Sequence, residues 1–322
     1  MIYKMDYSIG IDIGGTNTVI GLVDEKGNVV AKEKLKTRDF TIVDEYLQAI
    51  TAKIELLADR VKEENLILGV GIGAPNGNYY HGTIEYAPNL PFNGIIELKE
   101  ILEVLLLKDG YNLKVTVTND ANAAAIGEMI YGKAKDVKNF IMITLGTGVG
   151  SGIVVNGKLV YGHTGFAGEV GHTIIDPDGR QCNCGRKGCV ERYASATGIV
   201  ITIKEMLDNS SDNSVLRNID RDKITSKDIY DAAVKGDKTA LECFDYTAKQ
   251  LALGIANAAE ITSPEKVYLF GGLSKSGDFL LKPLKKYMEE FLFSIFQNTI
   301  DIELSGLKEE DAAVLGAAAL CY

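Results

Sequence analysis

Several features are missing from this chain of 322 residues, and each absence excludes a class of proteins. No apolar run approaches the roughly 20 residues that a transmembrane helix needs. Basic residues are too few for a nucleic-acid surface, because 44 acidic side chains outnumber 34 basic ones and give a net charge of −10. No Pro-rich or Gly/Ser-rich linker divides the chain, and no secretory signal opens it. We therefore expect a soluble, cytoplasmic globular protein that binds neither membranes nor nucleic acids.

The chain carries a weak internal repeat. Residues 8–24 align with residues 140–156, and in each an apolar strand runs through a Gly/Thr turn into a second strand. Short turns at 25–28 and 156–157 lead to a third strand, as in a hairpin. Helices interleaved with strands follow in both halves, which is typical of the α/β class. With 46% hydrophobic residues, the length is sufficient for two domains, and the repeat implies a cleft between them.

Hydrophobic periodicity places the other elements. Helix 238–261, for example, is indicated by Leu241, Phe244, Ala248, Leu251, Ile255 and Ala258 at steps of three and four. The predicted helices lie near 42–64, 95–107, 190–207, 226–235, 238–261, 280–293 and 311–321, with an Ala-rich helix after residue 120. The predicted strands lie near 66–73, 113–118, 266–270 and 300–304.

Two glycine-containing loops stand at corresponding places in the repeat, at 12–16 (DIGGT) and 145–150 (LGTGVG). Glycines at such turns let backbone N–H groups converge on an anion, and Thr16 and Thr147 can add hydroxyl donors. A single loop of this kind indicates no more than a tight turn. Two of them favour a shared phosphate chain, although neither matches the P-loop or the dinucleotide-binding pattern.

Two carboxylates accompany these loops. Asp12 is the first charged residue of an apolar strand, where it could hold Mg2+ against phosphates or cap the following turn; the metal role is favoured. Asn119 and Asp120 occupy a polar corner between a strand and an Ala-rich helix. An aspartate there ordinarily indicates a helix N-cap. An aspartate at a strand end that faces two phosphate loops could also be the base that accepts the proton of a substrate hydroxyl.

A metal-ligand pattern lies within residues 162–195. The four residues have the spacing His172-x9-Cys182-x-Cys184-x4-Cys189, and one His with three Cys is typical of a structural zinc site. Disulfides are the main alternative, but two cysteines one residue apart pair only with strain, and the expected compartment is reducing.

Two acidic residues near the metal pattern and the two remaining cysteines have simpler interpretations. Glu169 and Glu191 flank the metal pattern, either as ligands of a polar molecule or as solvated loop acids. Cys243 and Cys321 lie in apolar helical patterns and are predicted to be core residues.

These motifs together resemble the ROK family of sugar kinases and repressors, within the actin/hexokinase superfamily, over nearly the whole chain. The resemblance rests on DIGGT at 12–16, NDANAAAIGE at 119–128, LGTGVGSGI at 145–153, GFAGEVGH at 165–172 and CNCGRKGCVERYAS at 182–195. Gly271 and Gly272, after the strand VYLF, resemble the family's adenosine-side glycines.

The resemblance implies ATP-dependent phosphorylation of a hexose at its 6-hydroxyl, with Asp120 as the general base. The residues implied to hold the sugar are Asn89, Asn119, Asp120, Glu169, His172 and Glu191, of which His172 also binds zinc. Those implied to hold ATP and Mg2+ are Asp12, Gly14, Gly15, Thr16, Gly146, Thr147, Gly148, Gly271 and Gly272.

The resemblance also implies a duplicated, ribonuclease H-like fold of two domains that close on the sugar. These are a smaller domain formed by 1–119 plus 307–322, and a larger one formed by 120–306 with the zinc loop. A homodimer or homotetramer is expected, because relatives form them. The zinc loop is most similar to the glucokinase branch, so glucose is the first substrate to expect. N-acetylmannosamine, N-acetylglucosamine and allose are the alternatives.

Three features bear on how far the resemblance extends. The run Gly73-Ala-Pro-Asn-Gly77 has Asn76 where the family commonly has Pro-Gly, and Thr118 replaces a common Glu. A repressor of this family would carry a winged helix-turn-helix before the first phosphate strand. Only about seven residues precede that strand here and the charge is acidic, so a repressor is not expected.

Overall fold

Strands and helices collect into two groups, each with its own hydrophobic core. The computed structural model describes residues 5–61 and 65–322. Unit 1 comprises residues 1–137, 158–167 and 306–322, and unit 2 comprises residues 138–157 and 168–305. The domain division predicted at residues 119 and 120 stays a prediction. In the structure the helix that begins at residue 120 is grouped with unit 1, where it packs on the C-terminal helix.

Unit 1 contains nine strands and four helices within its described residues. Its strands are β1 (Asp6–Ile13), β2 (Thr18–Asp24), β3 (Val29–Leu35), β4 (Leu66–Gly73), β5 (Gly77–Asn78), β6 (Thr83–Glu85), β7 (Ile95–Ile96), β8 (Val115–Thr118) and β11 (Lys158–Leu159). Its helices are α1 (Val43–Ala58), α2 (Leu98–Lys108), α3 (Asp120–Ile130) and α9 (Glu309–Ala318).

Unit 2 contains four strands and five α-helices. Its strands are β9 (Phe140–Leu145), β10 (Val149–Val155), β12 (Lys266–Phe270) and β13 (Asp301–Leu304). Its helices are α4 (Glu191–Ala194), α5 (Ala196–Asn209), α6 (Ser226–Val234), α7 (Lys238–Thr262) and α8 (Asp278–Phe291).

The two units repeat one sheet topology. In unit 1 the strand β1 is antiparallel to β2 and parallel to β4, which is in turn parallel to β8. In unit 2 the strand β9 is antiparallel to β10 and parallel to β12, which is parallel to β13. The predicted α/β class and the predicted repeat are therefore confirmed. The third strand expected in the second half is reduced to the two residues of β11.

Glycines on the first sheet allow α9 to pack directly on it. A Cβ atom at Gly10 of β1 would lie 2.1 Å from the carbonyl oxygen of Val314. One at Gly71 of β4 would lie 1.9 Å from the carbonyl oxygen of Ala317. Any side chain at these positions would push the helix off the sheet, so α9 depends on both glycines to cover β1 and β4.

Two predicted helices have different bounds in the structure. The predicted helix near 190–207 is wrong as a single element, since Ser195 separates α4 from α5. Its backbone is extended and its side chain accepts the N–H of Gly198, as an N-cap does. The predicted helix near 95–107 begins only at Leu98, because residues 95–96 pair with β6 in a small sheet that periodicity did not predict.

Other boundaries agree closely with the predictions. Strands 66–73 and 266–270 have the predicted bounds, and the long helix α7 differs by a single residue. One residue of its predicted stripe, Leu241, is 38% exposed. The predicted helix near 42–64 is described over Val43–Ala58, and residues 62–64 lie outside the described residues. No helix in the described part of the chain is long and apolar enough to cross a bilayer.

A buried carboxylate anchors the chain where it enters the C-terminal segment. Glu128 of α3 has no exposed surface. Its Oε1 accepts the backbone N–H of Lys133 at 2.8 Å and that of Gly306 at 2.9 Å. A Cβ atom at Gly132 would lie 2.6 Å from the same oxygen, so a glycine makes room for the carboxylate. The bond to Gly306 holds the segment that leads into α9.

We expect Glu128→Gln to lower the free energy of unfolding by about 1–3 kcal/mol, because an amide that offers its NH2 to a buried backbone N–H leaves that donor unsatisfied. Urea unfolding would measure the change. Glu45→Gln, at an exposed position of α1, is the matched control and is expected to change stability little. Equal stability of both variants would show that the buried bonds contribute nothing.

Candidate active site and metal centre

The carboxyl ends of three parallel strands meet at one edge of the first sheet. Asp12 of β1 lies opposite Gly73 of β4, and Gly73 lies opposite Thr118 of β8. In open α/β sheets, ligands bind outside the carboxyl ends of the strands. The fold thereby brings Asp12 to the same edge as the polar corner at 119–120.

At that corner the capping role belongs to Asn119. Its Oδ1 accepts the N–H of Asn122 at 2.7 Å, and its backbone is extended, as expected for an N-cap. Asp120 is the first residue of α3, and its Oδ1 accepts a local bond from the N–H of Ala121 at 2.8 Å. The capping alternative for Asp120 therefore does not describe its position, and the helix keeps its cap without it.

The carboxyl groups of Asp12 and Asp120 both have raised pKa values. Burial, with a smaller contribution from the charge of Asp120, raises the pKa of Asp12 to about 6. The protein atoms crowded around Asp120 raise the pKa of its carboxyl as well, and the N–H of Ala121 opposes that shift. Two neighbouring carboxylates with raised pKa values favour a bound cation. Asp12 is thus suited to hold Mg2+.

The raised pKa of Asp12 predicts a pH-dependent stability. Its pKa exceeds the unfolded value of 3.8, so the folded state takes up a proton as the pH falls through the window from about 6 to 4. Above that window the charged form costs the folded state free energy. We expect Asp12→Asn to raise the Tm in magnesium-free buffer at pH 8, and the gain to vanish near pH 4.

Scanning calorimetry at several pH values would test this. Asp136→Asn removes an exposed carboxylate of the same type and is the control. A Tm for Asp12→Asn equal to or below that of the wild type at pH 8 would contradict the expectation.

The first glycine loop forms a tight turn against the segment that contains Asn89. The N–H of Gly14 donates to the carbonyl of Asn17 at 3.0 Å. A Cβ atom at Gly15 would lie only 2.3 Å from the carbonyl oxygen of Asn89. Thr16 is exposed at the tip of the turn. Asn89, predicted to hold the sugar, therefore lies directly beside the predicted phosphate loop.

The second glycine loop is hydrogen-bonded to the start of α5 in unit 2. The N–H of Ala196 donates to the carbonyl of Gly146 at 2.9 Å, and the Thr197 hydroxyl donates to the carbonyl of Thr147 at 2.8 Å. The break at Ser195 makes these bonds available, because it begins a new helix at the loop. Gly272, by contrast, has open space around its Cβ position.

Gly271 lies close to the strand that leads into this loop. Its φ of 98° is in the left-handed region, and a Cβ atom there would lie 2.6 Å from the carbonyl oxygen of Leu145. Only glycine fits both conditions without strain. The predicted adenosine-side glycine is thus adjacent to the second loop.

Glu191 has a contact that the sequence did not predict. Its Oε2 accepts the N–H of Val149 at 3.1 Å, and a Cβ atom at Gly148 would lie 2.3 Å from the same oxygen. The carboxylate of a predicted sugar ligand therefore also holds the second phosphate loop. A glycine at position 148 is required for this approach.

The four predicted metal ligands lie together in unit 2. One candidate atom from each of His172, Cys182, Cys184 and Cys189 lies within 4.8 Å of all the others. The Sγ atoms of Cys184 and Cys189 are 3.6 Å apart, and Sγ of Cys182 is 3.9 Å from Nδ1 of His172. A tetrahedral zinc site has edges of about 3.5–3.8 Å, so the spacing fits. The described cysteines form no disulfide.

The thiols of this cluster differ in proton affinity. Burial raises the pKa of Cys182, and it raises that of Cys189 to about 12. Burial also opposes ionisation of Cys184, but hydrogen bonds from Arg186 outweigh it and lower its pKa to about 6. Three thiolates at neutral pH therefore require a cation to stabilise them. The cluster could hold a metal ion.

The turn that carries Glu169 and His172 is short and closed by its own backbone. Residues 170–172 form a single 3-10 turn, and the N–H of His172 donates to the carbonyl of Glu169 at 3.0 Å. The N–H of Val170 donates to Oγ of Ser151 at 3.1 Å, which fixes the turn to β10. Glu169 is exposed beside the metal cluster.

The two positions that depart from the family pattern have defined contacts. Asn76 adopts a φ of 50°, and its Nδ2 donates to the carbonyls of Glu85 and Tyr86 at 2.9 and 3.3 Å. Its side chain thus closes the loop from 76 to 86. Thr118 is buried, and its hydroxyl accepts from Nδ2 of Asn122 at 3.3 Å, inside the corner that positions Asp120.

Comparison with known proteins agrees with these arrangements. The family model described as the ROK family matches residues 8–322. The chain belongs to the ROK family. A glucokinase from Halalkalibacterium halodurans is 36% identical over 315 residues, which are 96% of this chain and 92% of that protein.

Two further ROK relatives bear on fold and activity. The crystal structure of a ROK family glucokinase from Streptomyces griseus, in complex with glucose and AMPPNP, has a TM-score of 0.78 at 33% identity and 98% coverage of both chains. The predicted actin/hexokinase-like fold is thereby confirmed. A xylose repressor from Caldicellulosiruptor bescii is 32% identical over 97% of this chain, which spans 77% of that protein.

Proposed function

We propose that this ROK family protein is an ATP-dependent hexose kinase that converts glucose to glucose 6-phosphate. The observation that carries the proposal is the placement of Asp120 beside Asp12, at the carboxyl edge of the first sheet, with helix capping left to Asn119. Relatives named as glucokinases cover nearly the whole chain at 34–36% identity.

Asp120 serves in this proposal as the general base. It accepts the proton of the sugar 6-hydroxyl while that oxygen attacks the γ-phosphorus of ATP and the bond to the β-phosphate oxygen breaks. ADP and the sugar phosphate result. Its surroundings raise the pKa of the Asp120 carboxyl, which strengthens it as a base. The local bond from Ala121 keeps the carboxylate at the start of α3.

The two glycine loops hold the phosphate chain of ATP, and Mg2+ neutralises part of its charge. The residues assigned to this role are Asp12, Gly14, Gly15, Thr16, Gly146, Thr147, Gly148, Gly271 and Gly272. Backbone N–H groups and exposed threonine hydroxyls at these turns donate to phosphate oxygens. Phosphoryl transfer needs chiefly such positioning and charge neutralisation.

Sugar hydroxyls are held by Asn89, Asn119, Glu169, His172 and Glu191. A carboxylate that accepts hydrogen bonds from sugar hydroxyls discriminates against sugar analogues that lack those hydroxyls. Zinc on His172, Cys182, Cys184 and Cys189 is structural and fixes the segment between Glu169 and Glu191. The imidazole of His172 has two ring nitrogens, so one can bind zinc while the other faces the sugar.

A panel of sugars with MgATP would test the function, with ADP release as the signal. Glucose, mannose, fructose, allose, N-acetylglucosamine and N-acetylmannosamine are compared by kcat/KM. We expect glucose to rank first. Preference for an N-acetyl sugar would keep the mechanism and overturn the substrate. No turnover with any sugar, from zinc-loaded protein that binds ATP, would overturn the kinase function and favour a sugar sensor.

We also propose a homodimer or homotetramer in the cytoplasm, where thiols stay reduced. Support for self-association comes from three exposed apolar side chains of unit 2, Ile261, Phe293 and Ile295, which are 84, 61 and 67% exposed. Glu260, adjacent to the first of them, accepts the N–H of Phe293 at 2.7 Å. Light scattering after size exclusion would give the mass, and a monomer at micromolar concentration would contradict this part.

A further inference from the structure

A cavity in unit 2 opens beside the second phosphate loop. It has a volume of about 460 Å3 and is lined by Thr147 of the loop and by residues of α4, α5 and α6. This volume is within the range of small-molecule sites. Its other lining residues are Arg192, Ala196, Thr197, Val200, Ile201, Ile224, Thr225 and Ser226.

Arg192 is the single charged residue of this lining. None of the described residues around the cavity is acidic, and the remainder are apolar or carry hydroxyl groups. The nearest acid that contacts the lining is Asp228, whose carboxylate accepts from the N–H and the hydroxyl of Thr225 at 2.9 and 2.6 Å. Arg192 is therefore the cationic group that this lining offers to an anion.

The side chain of Arg192 also lacks a complete set of partners. Its Nε is buried and has no hydrogen-bond partner among the described residues. A buried donor without a partner destabilises the folded state, and a bound acceptor would recover that loss. Such a group in a folded protein calls for a specific explanation, and a bound ligand that supplies the missing bond is one.

By contrast, Arg180, which lies next to Arg192 in space, has several hydrogen-bond partners. Its guanidinium donates to the Glu205 carboxylate at 2.5 and 3.1 Å and to the Thr202 hydroxyl at 3.0 Å. It also donates to the backbone carbonyl of Arg192 at 2.8 Å. One arginine is thus used to fix the backbone of α4, while the other lines the cavity and keeps an unpaired Nε.

We propose that Arg192 is a nucleotide-binding residue whose guanidinium binds the phosphates of ATP and ADP from this cavity. The inference rests on the proposed function, and it adds a positive charge to phosphate loops that otherwise offer only N–H and hydroxyl donors. Guanidinium groups match phosphate oxygens with two parallel bonds and keep their charge at all working pH values. Arg192 is therefore expected to set affinity for the phosphoryl donor.

Calorimetric titration of the zinc-loaded protein with ADP and with adenosine would test the role. Arg192→Gln keeps a long polar side chain and removes the charge, and it is expected to weaken ADP binding by tenfold or more. Adenosine binding should change less than twofold, because adenosine has no phosphate. The salt dependence of ADP affinity should also become shallower, which a packing role would not produce. Arg192→Lys should recover part of the lost affinity.

Arg38→Gln, at an exposed position of unit 1, makes the same change of net charge and is the control. Unchanged ADP affinity in Arg192→Gln, or equal weakening of ADP and adenosine, would overturn the inference alone. A wild-type protein that binds no ADP and phosphorylates no sugar would overturn the proposed function together with it. If Arg192→Gln fails to fold, the affinities of Arg192→Lys for ADP and for adenosine are compared with those of the wild type instead.

Discussion

Replacing Asp120 by Asn is expected to lower kcat for glucose by about 10³-fold, while the Kd for glucose stays within a few-fold of the wild type. Loss of a positioned general base typically costs 10²–10⁴-fold in rate. The amide of Asn has nearly the shape of the carboxylate but cannot take the hydroxyl proton at neutral pH. The N-cap of α3 is supplied by Asn119, so the substitution leaves the helix start intact.

Initial rates with MgATP, together with calorimetric titration of glucose, separate the two effects. Asp136→Asn makes the same chemical change at an exposed position and is expected to keep wild-type kcat. Near-normal turnover of Asp120→Asn would remove this residue from the role of base. Equal loss of turnover and of glucose binding would assign it to sugar binding instead.

The second large effect is expected at the metal centre. Cys184→Ser should lose bound zinc, disorder the segment from Glu169 to Glu191, and weaken glucose binding beyond detection. Hydroxyl oxygen is a poor ligand for zinc compared with thiolate, and the free energy of structural zinc binding is largely folding free energy. The four candidate ligand atoms lie within 4.8 Å of one another, so loss of one thiolate leaves three of the four ligands that a structural zinc site needs.

Elemental analysis of the purified protein would count zinc per chain in both proteins, and calorimetry would measure glucose binding. Cys243→Ser is the matched control, because Cys243 is buried in α7 and its thiol contacts the carbonyl of Ile199 at 3.5 Å, away from the cluster. It should keep its zinc even if its stability falls. A wild-type protein without zinc would contradict the premise, and zinc-free Cys184→Ser with normal glucose affinity would restrict zinc to stability.

Much of the architecture is encoded locally. The strands at 66–73 and 266–270 have the predicted bounds, because each is an apolar run with polar or glycine residues at its ends. The clustering of the four candidate metal ligands could be predicted because they are closely spaced within one short segment. The repeat of strand, turn and strand predicted the duplicated sheets for the same reason, since hairpins form between neighbouring segments.

Other features depend on contacts between distant segments, and only the tertiary structure decided them. The sheet register brings Asp12 of β1 to the same edge as the end of β8, about 100 residues later in the chain, and so places it near Asp120. The start of α5 after Ser195 is hydrogen-bonded to the loop of Gly146, about 50 residues earlier in the chain. The bond from Glu191 to that loop and the cavity beside Arg192 arise in the same way. Periodicity records which face of an element is apolar, but not which polar groups from elsewhere will meet it.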